Sequence, residues 1–144
     1  INEYDEFAVE QAVQLKEHGG DRATSRGITF GELARGLYAQ GRWSEAERAW
    51  EQAIDLMGEH GDDPISLGRV CTTYAIALHE RRRRDQAEHM LGRALEAQAR
   101  GGESAAVRAL TLRELGRLMA TLGRRGEAHR CFADADRVEG TGTA

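Results

Sequence analysis

Residues 30–53 read FGELARGLYAQGRWSEAERAWEQA, and the spacing inside that stretch decides the fold. Phe30, Leu33, Ala34 and Leu37 stand at i, i+3, i+4 and i+7, the stripe of an amphipathic helix. Gly41 breaks the pattern, and Ala46, Trp50 and Ala53 open a second helical stripe directly after it. The stretch therefore reads as a pair of helices joined by a tight turn, with small residues alternating with large ones.

The pair recurs every 41 residues. Its first stripe returns as Cys71, Tyr74, Ala75, Leu78 and again as Leu112, Leu115, Gly116, Met119. The second returns as Ala87, Leu91, Ala94 and as Ala128, Phe132, Ala135. Glu45-Ala46 becomes Gln86-Ala87 and then Glu127-Ala128, while Gly20, Gly61 and Gly102 mark the same phase. Upstream, Ala8 to Val13 aligns with Ala49 to Ile54. A constant period through small, large and turn positions is the signature of a repeat protein. Small residues facing small ones let the two helices of a pair approach closely, and large ones fill the space between pairs.

Boundary signals agree with the period. Ser44 with Glu47, and Asp85 with Glu88, read as capping boxes. Asp63-Pro64 places a cap before a proline at the first helical position. Gly41 and Gly123 end first helices; Gly61 and Gly101-Gly102 end second ones. Seven helices are expected, near 2–18, 24–40, 44–59, 64–80, 85–100, 104–122 and 126–138, with no strand signal of similar quality.

Composition narrows the function. The chain has 144 residues, 20 basic and 24 acidic, for a formal charge of −4. That balance disfavours nucleic acid as a direct partner. No apolar run approaches the 18 residues or so of a membrane span, and no secretory leader opens the chain, so a cytoplasmic location is expected. Cys71 and Cys131 fit neither a disulfide scaffold nor a metal site, and Cys71 lies on the core stripe. The histidines His18, His60, His79, His89 and His129 form no i, i+4 pair. There is no phosphate-cradling glycine loop and no nucleophile–base spacing, so no cofactor, no metal and no enzyme activity is expected. All basic residues except Lys16 are arginine, the codon bias of a GC-rich and hence bacterial genome. Ile1 is not a usual initiating residue, which points to a piece of a longer protein.

These residues resemble the tetratricopeptide repeat. Its order of large-xx-large-small-xx-large, glycine, aromatic, then Ala-xxx-large-xx-Ala is met by Phe30, Leu33, Ala34, Leu37, Gly41, Trp43, Ala46, Trp50 and Ala53. The third repeat matches through Gly116, Gly123, Ala128, Phe132 and Ala135, whereas Arg82 and Arg84 hold the glycine and aromatic slots of the second. The usual period is about 34 residues, so this form is longer by about two helical turns and is similar to kinesin light chains and many bacterial signalling regulators.

The resemblance implies an all-α, right-handed superhelix of antiparallel helix pairs. Its divisions would be an unpaired helix over 1–20, repeats over 21–61, 62–102 and 103–139, the last with a polar terminal face, and a disordered tail over 140–144. It also implies a protein or peptide ligand, held in a concave groove lined by the first helix of each pair. Arg35, Tyr38, Arg69, Thr72, Ile76, His79, Arg113 and Arg117 fall on that lining, and its arginines favour an acidic ligand. The slots of the family's carboxylate clamp hold Gly31, Arg35, Thr73, Leu110 and Glu114, which argues against that particular ligand. The leading expectation is the sensor or interaction region of a larger cytoplasmic bacterial regulator. Its rival is a self-associating domain, a homodimer through residues 2–18, with Tyr4, Phe7, Val9 and Val13 as the buried face. Arg81-Arg82-Arg83-Arg84 reads first as a solvated turn between helices, with a grip on phosphate, RNA or an acidic partner as the alternative.

Overall fold

The computed structural model describes residues 22–142. The described residues form six helices and no strand: α1 (Arg22–Ala39), α2 (Trp43–Glu59), α3 (Pro64–Glu80), α4 (Arg84–Gly101), α5 (Ala105–Thr121) and α6 (Arg125–Gly142). The helix expected over 2–18 lies outside the described residues. Five of the six follow the expected bounds within a few residues, and α6 runs on to Gly142, past the expected end at 138. The chain divides into two compact units, Ile1–Val70 and Cys71–Ala144, so α3 contributes to both.

In the first unit α1 packs on α2. Phe30 and Ala53 centre a cluster completed by Leu33, Leu56 and Val70. Ala34, Ala46 and Ala53 are wholly buried, so each helix presents a flat seam to the other. Gly27 lies against the Met57 side chain, and Gly31 lies where a Cβ would stand 3.3 Å from Val70 Cγ2. Both glycines are there because a neighbouring helix occupies their side-chain space.

In the second unit α5 packs on α6 and α4 on α5. Cys71, Leu78, Leu91, Leu118 and Met119 are buried large residues, spaced by Ala75, Ala87, Ala94, Ala109 and Ala135. Burial pushes the Cys71 thiol up to about 11. It is therefore neutral at physiological pH and packs as a small apolar side chain. Phe132 lies over Gly116, whose missing Cβ would be 2.9 Å from the ring, yet the phenyl remains 36% exposed. Between α4 and α5 the fully buried Gln98 donates from Nε2 to Thr111 Oγ1 at 3.0 Å. Thr111 in turn donates to Val107 O at 3.3 Å. One period earlier the same two slots are the apolar Met57 and Val70.

The turns inside the repeats are copies of one another. Gly41, Arg82 and Gly123 take φ of 78°, 63° and 77°. At each, the next residue's N–H reaches back five residues: Arg42 N to Leu37 O at 2.9 Å, Arg83 N to Leu78 O at 2.8 Å, Arg124 N to Met119 O at 2.9 Å. That is the closing bond of a Schellman turn.

The caps differ from the capping boxes expected at Ser44 and Asp85. The cap residues are Arg42 and Arg83, one before the helix start, and neither makes a side-chain cap bond. Their guanidinium groups instead reach forward, Arg42 Nε to Glu45 Oε1 at 3.2 Å and Arg83 Nε to Gln86 Oε1 at 2.6 Å. Arg124 does the same to Glu127 at 3.0 Å and also holds Glu88 of α4 at 2.8 Å. Those bonds, to Glu127 first, raise the Arg124 pKa. At α3 the cap is the expected one, with Asp63 accepting from Ser66 N at 3.2 Å and from its hydroxyl at 2.6 Å.

Candidate protein-interaction surface

On the 41-residue grid the first helices of the repeats are α1, α3 and α5. Each of these helices has a further face outside its buried stripe, and three slots recur there on the grid: Ile28, Arg69, Leu110; Arg35, Ile76, Arg117; and Thr72, Arg113, whose α1 equivalent is the buried Gly31. Ile28, Ile76 and Leu110 are exposed by 39%, 39% and 60%, three of the five large apolar side chains so exposed among the described residues. Within each unit, the first-helix residues outside the core thus include both exposed apolar and cationic groups.

In the first unit Arg35 and Arg69 are exposed and Tyr38 is half-buried. The Tyr38 ring lies against Trp50, centroids 5.8 Å apart and planes tilted by 56°, so one side of it is already committed to packing. Arg69 also lies close enough to Asp63 to help hold that carboxyl below its usual range, behind the larger effect of the Ser66 hydrogen bond.

In the second unit Thr72 and His79 are half-buried, while Ile76 and Arg117 are exposed. Arg117 pairs with Glu114 one turn back on α5. Arg113 is held by α6, where it donates to Glu139 and, at 3.2 Å, to Asp136. Glu139 first, then Asp136, raises its pKa. Asp136 stands in the slot that Ile54 and Leu95 fill in the earlier repeats. An ion-paired cluster therefore occupies the end of the last pair where an apolar side chain stands in the others, and Arg113 is engaged within the fold.

Ile28 in the first unit and Leu110 in the second were absent from the residues the sequence singled out as ligand contacts. The grid carried the signal, since Arg69 projects onto both of them at one period's distance. Among the described residues no group of three metal-ligating side chains comes together, and no helix is long and apolar enough to cross a membrane.

Comparison with known proteins supports the repeat reading. Residues 29–60 match the tetratricopeptide repeat model. In structure the chain is similar to BtubC (BKLC) from P. vanneervenii, with a TM-score of 0.77 at 20% identity over 92% of this chain. It spans 54% of that protein's chain, about half its length. No curated protein matches the sequence. The matched segment contains the α1–α2 pair with which the sequence argument began, and the structural likeness extends the same all-helical fold over nearly all of the chain.

Proposed function

We propose that this chain, a tetratricopeptide-repeat domain, is a docking module that holds an acidic, partly apolar segment of a partner protein on its exposed first-helix faces. Tetratricopeptide repeats are non-catalytic scaffolds that bind proteins or peptides, and one observation gives the general role its particular form here. Ile28, Arg35 and Arg69 in the first unit, and Ile76, Leu110 and Arg117 in the second, are all exposed, so the first helices of each unit carry both apolar and cationic side chains in solvent. Exposed apolar area costs about 25 cal/mol per Å² relative to burial, so such a face gains by being covered. Guanidinium groups beside it accept carboxylates in a two-bond fork, which favours an acidic segment.

The wider setting follows from the long period, which is similar to that of bacterial signalling regulators. In that setting the module would work in the cytoplasm as the interaction region of a larger regulator.

Selection from a displayed peptide library tests the binding role. The wild-type chain should enrich peptides that carry both carboxylates and large apolar residues. A triple R35E/R69E/R117E variant with unchanged helical content should bind those peptides at least about tenfold more weakly, with a shallower salt dependence. Equal binding by the two proteins would refute this face as the site.

A further inference from the structure

Two slots of the second helices change character in α6. Asp136 follows Ile54 and Leu95, and Glu139 follows Met57 and Gln98, at one-period steps. Ile54, Met57 and Gln98 are 3%, 3% and 0% exposed, so in those helices the slots anchor the chain by burial. The side chains of Asp136 and Glu139 are instead 79% and 40% exposed, and both end on one guanidinium, that of Arg113 on α5. Arg113 gives Nη1 to Glu139 and Nη2 to Asp136, so a carboxylate stands at each of its terminal nitrogens.

Arg113 belongs to the same side of α5 as two of the proposed ligand contacts. Leu110 lies three residues before it and Arg117 four after, which places the three on successive turns of one helix side. Leu110 and Arg117 are exposed, whereas Arg113 is half-buried and bridged to α6. A wet outer face on the last helix accounts for polar residues at 136 and 139. It does not account for two carboxylates that both turn onto the same arginine, when water would solvate them equally well. Exposed ion pairs add little to stability, because solvent screens them and both side chains lose freedom. Two carboxylates at the terminal nitrogens of one guanidinium are also what an acidic segment would offer it.

We propose that Asp136 and Glu139 form an autoinhibitory latch on Arg113: they hold the place of a partner's carboxylates, and an acidic segment must displace them to reach that guanidinium. Such a latch presupposes the acidic-segment docking proposed above and regulates that same site. For a segment with adjacent Asp or Glu residues the exchange trades one pair of solvated carboxylates for another and is nearly even. A segment with isolated carboxylates gains nothing by it and stays on Arg117 and Leu110. The latch thus favours densely acidic partners over weakly acidic ones.

The test uses the full chain and a fluorescein-labelled peptide of repeated Glu-Glu-Leu triplets, read by fluorescence anisotropy at low salt. D136N/E139Q, with helical content unchanged, should bind it about fivefold more tightly than the wild type. E139Q, which leaves Asp136 in place, should bind about twofold more tightly. R113A alone should change the affinity less than about twofold, and adding D136N/E139Q to R113A should bring no larger gain, because no guanidinium is released. A general loss of negative charge would tighten binding equally with or without Arg113. A merely structural bridge would lower the melting temperature of D136N/E139Q without tightening binding. Equal or weaker binding by D136N/E139Q, or a gain that survives in full in R113A, overturns the latch and leaves the docking role standing. Failure of every chain to bind the peptide, the wild type included, overturns both.

Discussion

Gly36 and Gly116 sit inside helices of first-helix type, where an exchange to alanine ordinarily gains about 1 kcal/mol. Their surroundings separate them. Nothing lies within 4 Å of a Cβ built on Gly36, whereas a Cβ on Gly116 would stand 2.9 Å from the Phe132 ring. Gly36→Ala is therefore expected to stabilise the chain by about 1 kcal/mol, and Gly116→Ala to destabilise it by about 1–3 kcal/mol as the ring is displaced. Urea denaturation of the two variants checks this, and a matching gain in both would show that Phe132 does not need its seat on Gly116. The sequence separates them in part, since Gly116 stands in the small slot of the core stripe and Gly36 does not, but the ring that fills the space over Gly116 comes from another helix.

Caps belong to the scale of the element. Asp63 holds the start of α3 through Ser66, and that hydrogen bond, more than any other influence, depresses its pKa. Removing such a cap costs about 1 kcal/mol, which is the loss expected for Asp63→Ala near neutral pH. Its sign with pH is fixed: a depressed carboxyl adds stability above the unfolded carboxylate range, near about 3.9, and that contribution is lost as pH falls through the folded value. The gap between wild type and D63A should accordingly close below about pH 4 in denaturation curves. A gap of constant size would show that Asp63 acts by shape and not by charge. This cap was legible because Asp-Pro is a local signal. The arginine caps were not: Ser44 and Asp85 fit a known pattern, while Arg42 and Arg83 start their helices directly after a Schellman turn, whose closing bond joins the cap residue's N–H to a carbonyl of the preceding helix.

Over the whole molecule, the 41-residue period gave the order, type and approximate bounds of every described helix, because the small and large residues that repeat are those that must be buried. The candidate face was legible in part. Arg35, Ile76 and Arg117 follow from the same grid and are exposed. Arg113 follows from it too, but its partners Asp136 and Glu139 lie 23 and 26 residues away, a pairing no helical spacing reveals. Since Arg113 is held by α6, Arg113→Ala should lower the melting temperature yet change the affinity for library-selected peptides by less than about twofold. A loss as large as that of the R35E/R69E/R117E variant would return Arg113 to the binding face.

The hydrogen bond from Gln98 to Thr111 has a bearing on how the chain assembles. Helix pairs similar enough to stack in order are similar enough to stack out of order, and misassembly of that kind is a characteristic failure of repeat proteins. Met57 and Val70 hold the same slots one period earlier and would accept any apolar neighbour. Gln98, wholly buried, donates from its amide nitrogen to the Thr111 hydroxyl, which a helix of the matching height offers, while its Oε1 has no partner. A wrong neighbour would strand that amide at a cost of about 1–3 kcal/mol. The polar pair thus works as a key between α4 and α5, making the correct succession of helices the cheapest one for the folding chain to find.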